Sequence, residues 1–361
     1  MKNALTWIHK LFCKGLTKQS IELFIDSPLL KQRARAHIRS SIQTWGRGVV
    51  FALSIGGVFG AMAEDKAPRL NADYDVSKVS DHVYVIHGPL GFPNPHNQGF
   101  MSNPAFIVTS EGVVVVDAGS SVQVGDMVLQ KIEQVTDQPV IALFSTHIHG
   151  DHWLANQAIH ERYDGVPSYA HPDLIKLAKS GEALNWVNLM KQLTDNATAG
   201  TRAIIPDTPI VDGDVIEIGG MSFAIHHKGQ AHTTTDIAIH LMPDNVLFTG
   251  DLVFNRRLGR IDDGRFSGLL ETLDHLIELE PAIVVPGHGI TGDVGLVKTS
   301  RRLHSLIYDG VAELFEEGMP DFEMKSVIAD RMEEFSDWDD FEASFGRFIS
   351  LAYLEVEEEN F

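Results

Sequence analysis

A cluster of ionisable side chains near the middle of the chain constrains the fold more than any other feature. Residues 140–145 are predicted to form a buried strand, and the segment that follows is Thr146-His147-Ile148-His149-Gly150-Asp151-His152. Alternate side chains of extended backbone share a face, so His147 and His149 point the same way. Asp151 and His152 begin a helix and face a second point nearby. Burying four such groups without a metal ion would leave polar atoms without partners, so we predict a metal site at the end of this strand.

Three further residues of metal-ligand type follow apolar strands later in the chain. They are His232 in Gly229-Gln230-Ala231-His232-Thr233, Asp251 in Phe248-Thr249-Gly250-Asp251 and His288 in Val284-Val285-Pro286-Gly287-His288-Gly289. Each lies beside glycine or another small residue at the end of a strand, where loops on a rigid scaffold carry functional side chains. Together with the first cluster, and in this order, they are strong evidence for a metal site.

Short apolar runs alternate with amphipathic stretches from Asp81 onward. Runs rich in Val, Ile and Phe that end at Gly, Asp or Pro predict strands at 83–87, 106–109, 113–117, 140–145, 222–226, 237–241, 246–249 and 283–285. The amphipathic stretches predict helices at 122–135, 153–160, 172–180, 183–193 and 266–279. Two halves of strands with interspersed helices predict a layered α/β body.

The motifs His-x-His-x-Asp-His, His, Gly-Asp and Gly-His-Gly, in this order, resemble those of the metallo-β-lactamase superfamily of hydrolases. The resemblance extends from about Asp81 to Gly289 and includes Val114-Val115-Val116-Asp117-Ala118-Gly119 as an early strand and turn. It implies an α/β (α+β) fold, the αβ/βα four-layer sandwich of two sheets flanked by helices, with metals at one edge. We therefore expect a domain of this type over residues 81–293.

The resemblance also implies a role for each ligand. One metal would be bound by His147, His149 and His232, and the other by Asp151, His152 and His288. Asp251 would bridge the two metals, and Asp117 would support the ligand loop, although a turn or capping role explains Asp117 equally well. The seven ligands favour two zinc ions, while iron and manganese also suit histidine and carboxylate donors.

The implied chemistry is hydrolysis by a metal-bound hydroxide. Two divalent cations would share a water and lower its pKa toward about 7, and the resulting hydroxide would attack a carbonyl carbon. Asp151, which both ligates and orients the hydroxide, is the predicted catalytic residue. No protein nucleophile is required, and the sequence has no Gly-x-Ser-x-Gly motif. The expected substrate is a small molecule with an ester, thioester, lactone or amide bond.

Two features indicate which branch of the superfamily the chain resembles. Aspartate at the bridging position resembles glyoxalase II, lactonases and related hydrolases more than the β-lactamases, which use cysteine there. The segment Asp151-His152-Trp153-Leu154-Ala155-Asn156, with an export signal, resembles periplasmic hydrolases associated with quinoprotein alcohol oxidation.

Two other functions compete with a two-metal hydrolase. The first is a mononuclear iron oxygenase of the persulfide dioxygenase type, and the second is a non-catalytic metal-binding protein. The complete ligand set favours a two-metal hydrolase over both.

Charge and cysteine content exclude other classes of protein. The 361 residues include 29 basic and 49 acidic residues, a formal net charge of −20. This balance argues against a nucleic-acid partner, which requires a basic face. The only cysteine, Cys13, excludes an intrachain disulfide framework and a multi-thiolate metal cage. The sequence gives no indication of an oligomeric state.

The first 63 residues differ from the remainder of the chain. They carry nine of the basic and two of the acidic residues, so the remainder, with 20 basic and 47 acidic residues, has a net charge of −27. An apolar run from Val49 ends in Ala61-Met62-Ala63. A basic region, a short apolar run and a small-x-small ending predict a signal peptide with a long leader over residues 1–63, and hence a periplasmic or secreted protein. The run is about 15 residues, shorter than a spanning helix, so no stable membrane insertion is expected after cleavage.

Strand patterns stop after Gly289, and residues 294–361 are predicted to form a helical, acidic extension. It holds six basic and 17 acidic residues and ends in Glu357-Glu358-Glu359, as expected of a solvated acidic end. Aromatic residues recur at helical spacing and should pack on the main body; they are Trp338, Phe341, Phe345 and Phe348.

Several other residues are weaker candidates. The loop 92–101 is rich in turn formers and aromatics and suits a flap over the site or a plain surface loop. His226, His227 and His240 are predicted to be structural because no motif accompanies them. The arginines Arg256, Arg257 and Arg260 follow Asp251 closely and could pair with a substrate carboxylate. Pairing with nearby acids such as Asp262, Asp263 or Glu271 is the favoured alternative.

Export predicts a defined mature end. Protein recovered from the producing cell should begin at Glu64, because signal peptidase cleaves after a small-x-small sequence such as Ala61-Met62-Ala63. N-terminal sequencing measures this directly. Intact Met1 on soluble cytosolic protein would contradict it.

Overall fold

The computed structural model describes residues 66–360. The predicted leader, residues 1–63, lies outside the described residues. Strand β1 (Val76–Lys78) begins five residues before the predicted start of the domain and pairs with β2 (Val83–Ile86). Among residues 66–360, no helix combines the length and the apolar character needed to cross a membrane.

The first sheet contains seven strands in sequential order. After β1 and β2 come β3 (Ala105–Val108), β4 (Val113–Val116), β5 (Val140–Phe144), β6 (Ser168–Ala170) and β7 (Thr208–Pro209). Strands β1 to β4 pair antiparallel, and β4 to β7 pair parallel. The parallel half therefore directs the ends of β4 and β5 to the same edge of the sheet.

The second sheet has five strands. They are β8 (Val215–Ile218), β9 (Met221–His226), β10 (Ala238–Leu241), β11 (Val246–Phe254) and β12 (Ile283–His288), in the order β12-β11-β10-β9-β8. Only β11 and β12 are parallel. Consequently the ends of β11 and β12 also lie at one edge.

Nine helices of the described chain cover the two sheets. They are α1 (Val122–Val135), α2 (Gly150–Trp153), α3 (Asn156–Arg162), α4 (Pro172–Leu177), α5 (Ala183–Leu193), α6 (Phe266–Glu278), α7 (Gly295–Glu316), α8 (Asp321–Ala329) and α9 (Phe341–Asn360). A π-helical turn, Ala178–Glu182, joins α4 to α5, and a 3-10 turn, Glu333–Phe335, precedes α9.

The four consecutive valines of β4 explain the layering. Val114 and Val116 face the core between the sheets, where they join Phe223 of β9 and Phe248 of β11. Val113 and Val115 face the opposite core, with residues of α1 and α3. A strand buried on both faces needs an unbroken apolar run instead of an alternating one. Helices α6 to α9 cover the outer face of the second sheet, so the predicted four-layer sandwich with a helical C-terminal region is confirmed.

The helix predicted over 153–160 is confirmed for 156–160, but its start is wrong. The chain forms two short helices, α2 and α3, because residues between them bond to a neighbouring loop. The Gly119 N–H donates to the His152 carbonyl (3.2 Å), and the Ala155 N–H donates to the Gly119 carbonyl (2.9 Å). These bonds replace the helical ones and hold α2 against the turn that follows β4.

The other differences concern strand lengths. Strands β1, β6, β7 and β8 are not predicted, since two to four residues at sheet edges need no apolar run. Strand β11 continues past the predicted end at Thr249 to Phe254, and β12 continues past Val285 to His288.

The C-terminal helices share a core with the second sheet. Phe341, Phe345 and Phe348 are buried with Leu247 of β11 and Val284 of β12, as predicted for the aromatic stripe. Glu355 of α9 is also buried, and its carboxylate accepts hydrogen bonds from the N–H groups of Phe266 (2.7 Å) and Ser267 (2.9 Å). It thereby caps the first turn of α6 from a distant helix.

Removing this cap should destabilise the protein. We expect Glu355→Ala to lower the free energy of unfolding by about 2 kcal/mol, because it leaves the buried N–H of Phe266 and the half-buried N–H of Ser267 without an acceptor. Urea denaturation followed by circular dichroism measures the change. Glu357→Ala, two residues along the same helix, is the control and should cost less than about 0.5 kcal/mol. Equal effects would refute the capping role.

Candidate metal centre

The ends of four strands bring all seven predicted ligands together. His147 and His149 follow β5, Asp151 and His152 lie in α2, His232 lies between β9 and β10, Asp251 lies within β11, and His288 ends β12. All seven side chains are buried. Their donor atoms fall into two groups, His147, His149, His232 and Asp251 on one side and Asp151, His152 and His288 on the other, with the atoms of each group within 4.8 Å of one another.

Asp251 faces both groups. Its Oδ2 lies 3.8 Å from Nε2 of His147 and 3.6 Å from Nε2 of His232. Its Oδ1 lies 3.2 Å from Nε2 of His152 and 3.3 Å from Nε2 of His288. Each carboxylate oxygen is thus directed to a different donor group.

Hydrogen bonds on the far side of three imidazoles set their orientation. His152 Nδ1–H donates to Asp117 Oδ2 (2.8 Å), and His288 Nδ1–H donates to the Met101 carbonyl (2.8 Å). The Thr146 hydroxyl donates to Asp117 (2.7 Å), so its oxygen accepts from His147 Nδ1–H (3.1 Å). In all three rings Nδ1 is bonded on the outer side and Nε2 faces the centre, the orientation that a metal ligand requires.

Asp117 therefore does more than cap a turn. Besides His152, its carboxylate accepts from the Thr146 N–H (2.9 Å). Its backbone has a φ of 53°, a left-handed conformation that Asp tolerates better than most residues. This carboxylate positions the ligand loop, as the resemblance implied.

The centre contains buried polar atoms that the described residues do not satisfy. Within residues 66–360, Nε2 of His147, Nε2 of His152 and Oδ1 of Asp251 are buried without a hydrogen-bond partner. Such atoms are costly to bury unless something else binds them. Imidazole nitrogens and carboxylate oxygens aimed at common points fit divalent metal ions.

The charges of the donor groups also favour the binding of a cation. Burial raises the pKa of Asp251, but the imidazoles of His288 and His152 more than offset this and hold the pKa well below its usual range. Burial lowers the pKa of His232 to about 3, with His149 adding to the effect, so this imidazole is neutral. Burial lowers the pKa of His152, yet Asp251, Asp151 and Asp117 raise it well above its ordinary value. The carboxylates thus create a potential that a cation would satisfy.

Two glycines give Asp251 the space that it needs. Gly250 has a φ of 49°, and a Cβ there would lie 2.5 Å from the Thr146 hydroxyl. A Cβ on Gly287 would lie 2.0 Å from Oδ1 of Asp251. Gly250 therefore lets Thr146 approach β11, and Gly287 lets the Asp251 carboxylate approach β12.

His149 is held differently from the other imidazoles. Its Nε2–H donates to Asp263 (3.2 Å), while its Nδ1 faces Nε2 of His232 at 3.0 Å. The hydrogen bond from His149 lowers the pKa of Asp263. The sequence suggested Asp263 only as a partner for the arginines that follow Asp251, because Arg260 lies three residues before it.

A cleft opens onto the two donor groups, and much of its wall is apolar. The lining residues outside the donor groups include Phe92, Met101, Trp186, Leu189, Met190 and Phe254. The Trp186 ring lies 5.0 Å from that of His149, and Phe254 stacks on His288 with centroids 5.6 Å apart. Phe92 and Met101 come from the loop 92–101, which forms part of the wall. The wall from α5 was not predicted, although Trp186 and Leu189 follow each other at helical spacing.

The three arginines after β11 have separate environments. Arg256 pairs with Asp337 (2.8 Å) and is exposed, Arg257 pairs with Asp340 (2.9 Å) and is buried, and Arg260 pairs with Asp262 (2.7 Å). Only the last pair matches the acids expected from sequence. Arg257 and Arg260 line the cleft.

The histidines predicted to be structural lie outside the donor groups. His226 contacts His275 (3.1 Å), His227 donates to the Asp236 carbonyl (2.7 Å) and His240 contacts Asn245 (2.7 Å).

The fold and the donor groups define a buried metal-binding site, and comparison with known proteins identifies the chain as a metal-dependent hydrolase and gives its family. The metallo-beta-lactamase superfamily model matches residues 97–288. The chain belongs to this superfamily and carries a buried His/Asp metal-binding cluster.

Individual relatives agree with this family. A metallo-beta-lactamase type 2 of Bacteroides fragilis is 23% identical over 249 residues, which is 67% of this chain and 90% of that protein. An uncharacterized protein of Mycobacterium tuberculosis is 30% identical over 193 residues, 50% of this chain and 82% of that protein. The solved structure of a metallo-beta-lactamase from Pontibacter korlensis has a TM-score of 0.53 at 23% identity, covering 64% of this chain and 99% of that one.

The contact between Asp263 and His149 gives a testable prediction. Asp263→Asn should weaken zinc binding roughly tenfold, because His149 loses the charged acceptor that orients its ring. Competition with a chromogenic zinc chelator measures the affinity. The matched control is Asp262→Asn, a neighbouring carboxylate that pairs with Arg260 and should change the affinity less than about twofold. Equal losses would assign the effect to general charge.

Proposed function

We propose that this protein is an exported hydrolase that uses two zinc ions to cleave an ester, thioester, lactone or amide bond of a small molecule. The observation that carries this proposal is the position of Asp251, with one carboxylate oxygen toward each donor group. A single carboxylate between two groups of donors suits a pair of metal ions better than one ion.

The donors divide naturally between two ions. His147, His149 and His232 would hold one, and Asp151, His152 and His288 would hold the other, with Asp251 shared. Imidazole and carboxylate ligands suit zinc, and the same donors accept iron or manganese. When bound, two divalent ions would supply a hydroxide at neutral pH and a Lewis acid for a carbonyl oxygen.

The chain's own residues do the positioning. Asp151 lines the cleft, and its Oδ2 lies 3.3 Å from Nε2 of His288 and 3.4 Å from Nε2 of His152. Its carboxylate would accept a hydrogen bond from the attacking water and so orient that water. The Ser102 hydroxyl donates to the Asp151 carbonyl (2.6 Å), which fixes the start of α2. Apolar side chains line much of the rest of the cleft and suit an apolar part of a substrate.

A substrate panel tests the reaction. The zinc-reconstituted protein should hydrolyse at least one of a set of chromogenic esters, thioesters, lactones and β-lactams. A chelator should abolish the activity, and added zinc should restore it. No hydrolysis of any member by protein carrying two equivalents of zinc would refute the proposed reaction. β-Lactams belong in the panel because the Bacteroides relative is named for them.

Ligand substitutions test the number of metal ions. Asp251→Ala should impair binding at both positions, because its two oxygens face both donor groups, whereas His288→Ala should mainly weaken one. Metal content by mass spectrometry distinguishes the two results. One equivalent of iron and no second metal in wild-type protein loaded under metal-replete conditions would favour the oxygenase alternative.

A further inference from the structure

The C-terminal region reaches the cleft through a buried ion pair. Arg257 Nε donates to Asp340 Oδ2 (2.9 Å), and both side chains are almost completely enclosed, with 3% and 13% of their surface exposed. The Phe92 ring covers the guanidinium at 4.8 Å. Arg257 lines the cleft, and its Nη1 lies 3.4 Å from Nδ1 of His288. The guanidinium thus lies next to the metal centre with its charge opposed by an internal carboxylate.

Backbone hydrogen bonds fix the two partners. The Asp339 N–H donates to the Arg256 carbonyl (3.0 Å), and the Leu258 N–H donates to the Asp339 carbonyl (3.0 Å). These bonds hold the segment before α9 in a parallel bridge against the loop after β11. The backbone contacts therefore fix the position of Asp340 relative to Arg257.

The charges along the cleft are otherwise balanced. Among the described residues that line it, the arginines and lysines are Arg257 and Arg260, and Arg260 pairs with Asp262 (2.7 Å). Most of the remaining wall is apolar or belongs to the donor groups. Each of these guanidinium groups is already paired with a carboxylate of the chain, so neither offers an unpaired charge to a substrate carboxylate.

We propose that Asp340 is a specificity-determining residue that neutralises Arg257 and so makes the cleft select substrates whose groups near His288 are uncharged. Resting on the proposed function, this narrows the substrate class to neutral esters, thioesters, lactones or amides with an apolar substituent. Without Asp340, the Arg257 guanidinium is a buried cation beside the cleft, and an anionic ligand becomes its best available partner.

The sequence allows a conservative test of this role. Asp340 has a φ of 61°, a left-handed conformation that Asn adopts at least as well as Asp. Asp340→Asn therefore removes the charge and keeps the backbone and side-chain size. Asp337→Asn is the matched control, since Asp337 neutralises an exposed arginine of the same loop, Arg256, which does not line the cleft.

Calorimetry on the zinc-loaded full chain measures the preference without turnover. Phenylacetate and phenylacetamide, which differ in charge and share an apolar ring, are the probes. Relative to wild type, Asp340→Asn should improve phenylacetate binding over phenylacetamide binding by about tenfold. Asp337→Asn should leave the ratio unchanged. An unchanged ratio in folded Asp340→Asn, or no measurable binding of either probe to any variant, would overturn the proposal.

A double variant covers the case in which Asp340→Asn does not fold. Arg257→Gln with Asp340→Asn replaces a neutral pair by another neutral pair, so the probe ratio should stay at the wild-type value. A selective loss of phenylacetate binding would mean that Arg257 serves a substrate anion in the wild type, and would overturn the proposal. Both tests measure probe binding and not hydrolysis. Failure of the substrate panel would therefore contradict the proposed reaction alone, and an unchanged binding ratio in Asp340→Asn would contradict the role of Asp340 alone.

Discussion

The Asp251 carboxylate is buried between four imidazoles, and much of the architecture follows from that arrangement. A buried carboxylate is stable only with compensating charge and hydrogen bonds. Strands β5, β11 and β12 must therefore end at one edge, where parallel pairing within each sheet places their carboxyl ends. Glycines 250 and 287 remain without side chains because a Cβ would displace Thr146 or Asp251 itself. Asp117 and Asp263 then orient rings from outside the centre.

The C-terminal region packs on the second sheet and reaches the cleft. Two of its acidic residues, Glu355 in α9 and Asp340 just before it, are directed inward. Glu355 caps α6, and Asp340 binds an arginine of the cleft wall. By contrast, Glu358 and Glu359 remain near the surface, where they contact Arg265 and Tyr308. The high acidity of this region therefore includes carboxylates with defined partners as well as solvated ones.

Most of the layers could be predicted because both sheet cores depend on short local runs. The sequence spacing of the β4 valines and of the α9 aromatics is enough to predict that these side chains are buried. The break before Asn156, inside the helix predicted at 153–160, was missed because Gly119, distant in sequence, supplies competing backbone hydrogen bonds. Edge strands such as β7 were not predicted because two residues give no periodicity. The cleft wall from α5 was not predicted because Trp186 has the same spacing as a core residue.

The sequence by itself determined the donor set and the strands that carry it. In each motif the apolar strand, the turn and the His or Asp donor lie within six or seven consecutive residues. Backbone geometry fixes the direction of side chains that are so close in sequence. Tertiary structure alone decided how these donors divide around Asp251, and which acids the arginines contact. Arg257 and Asp340 are 83 residues apart in sequence. With 49 acidic residues in the chain, local charge offers several equivalent partners, and only the packing of α6 to α9 on the second sheet selects one.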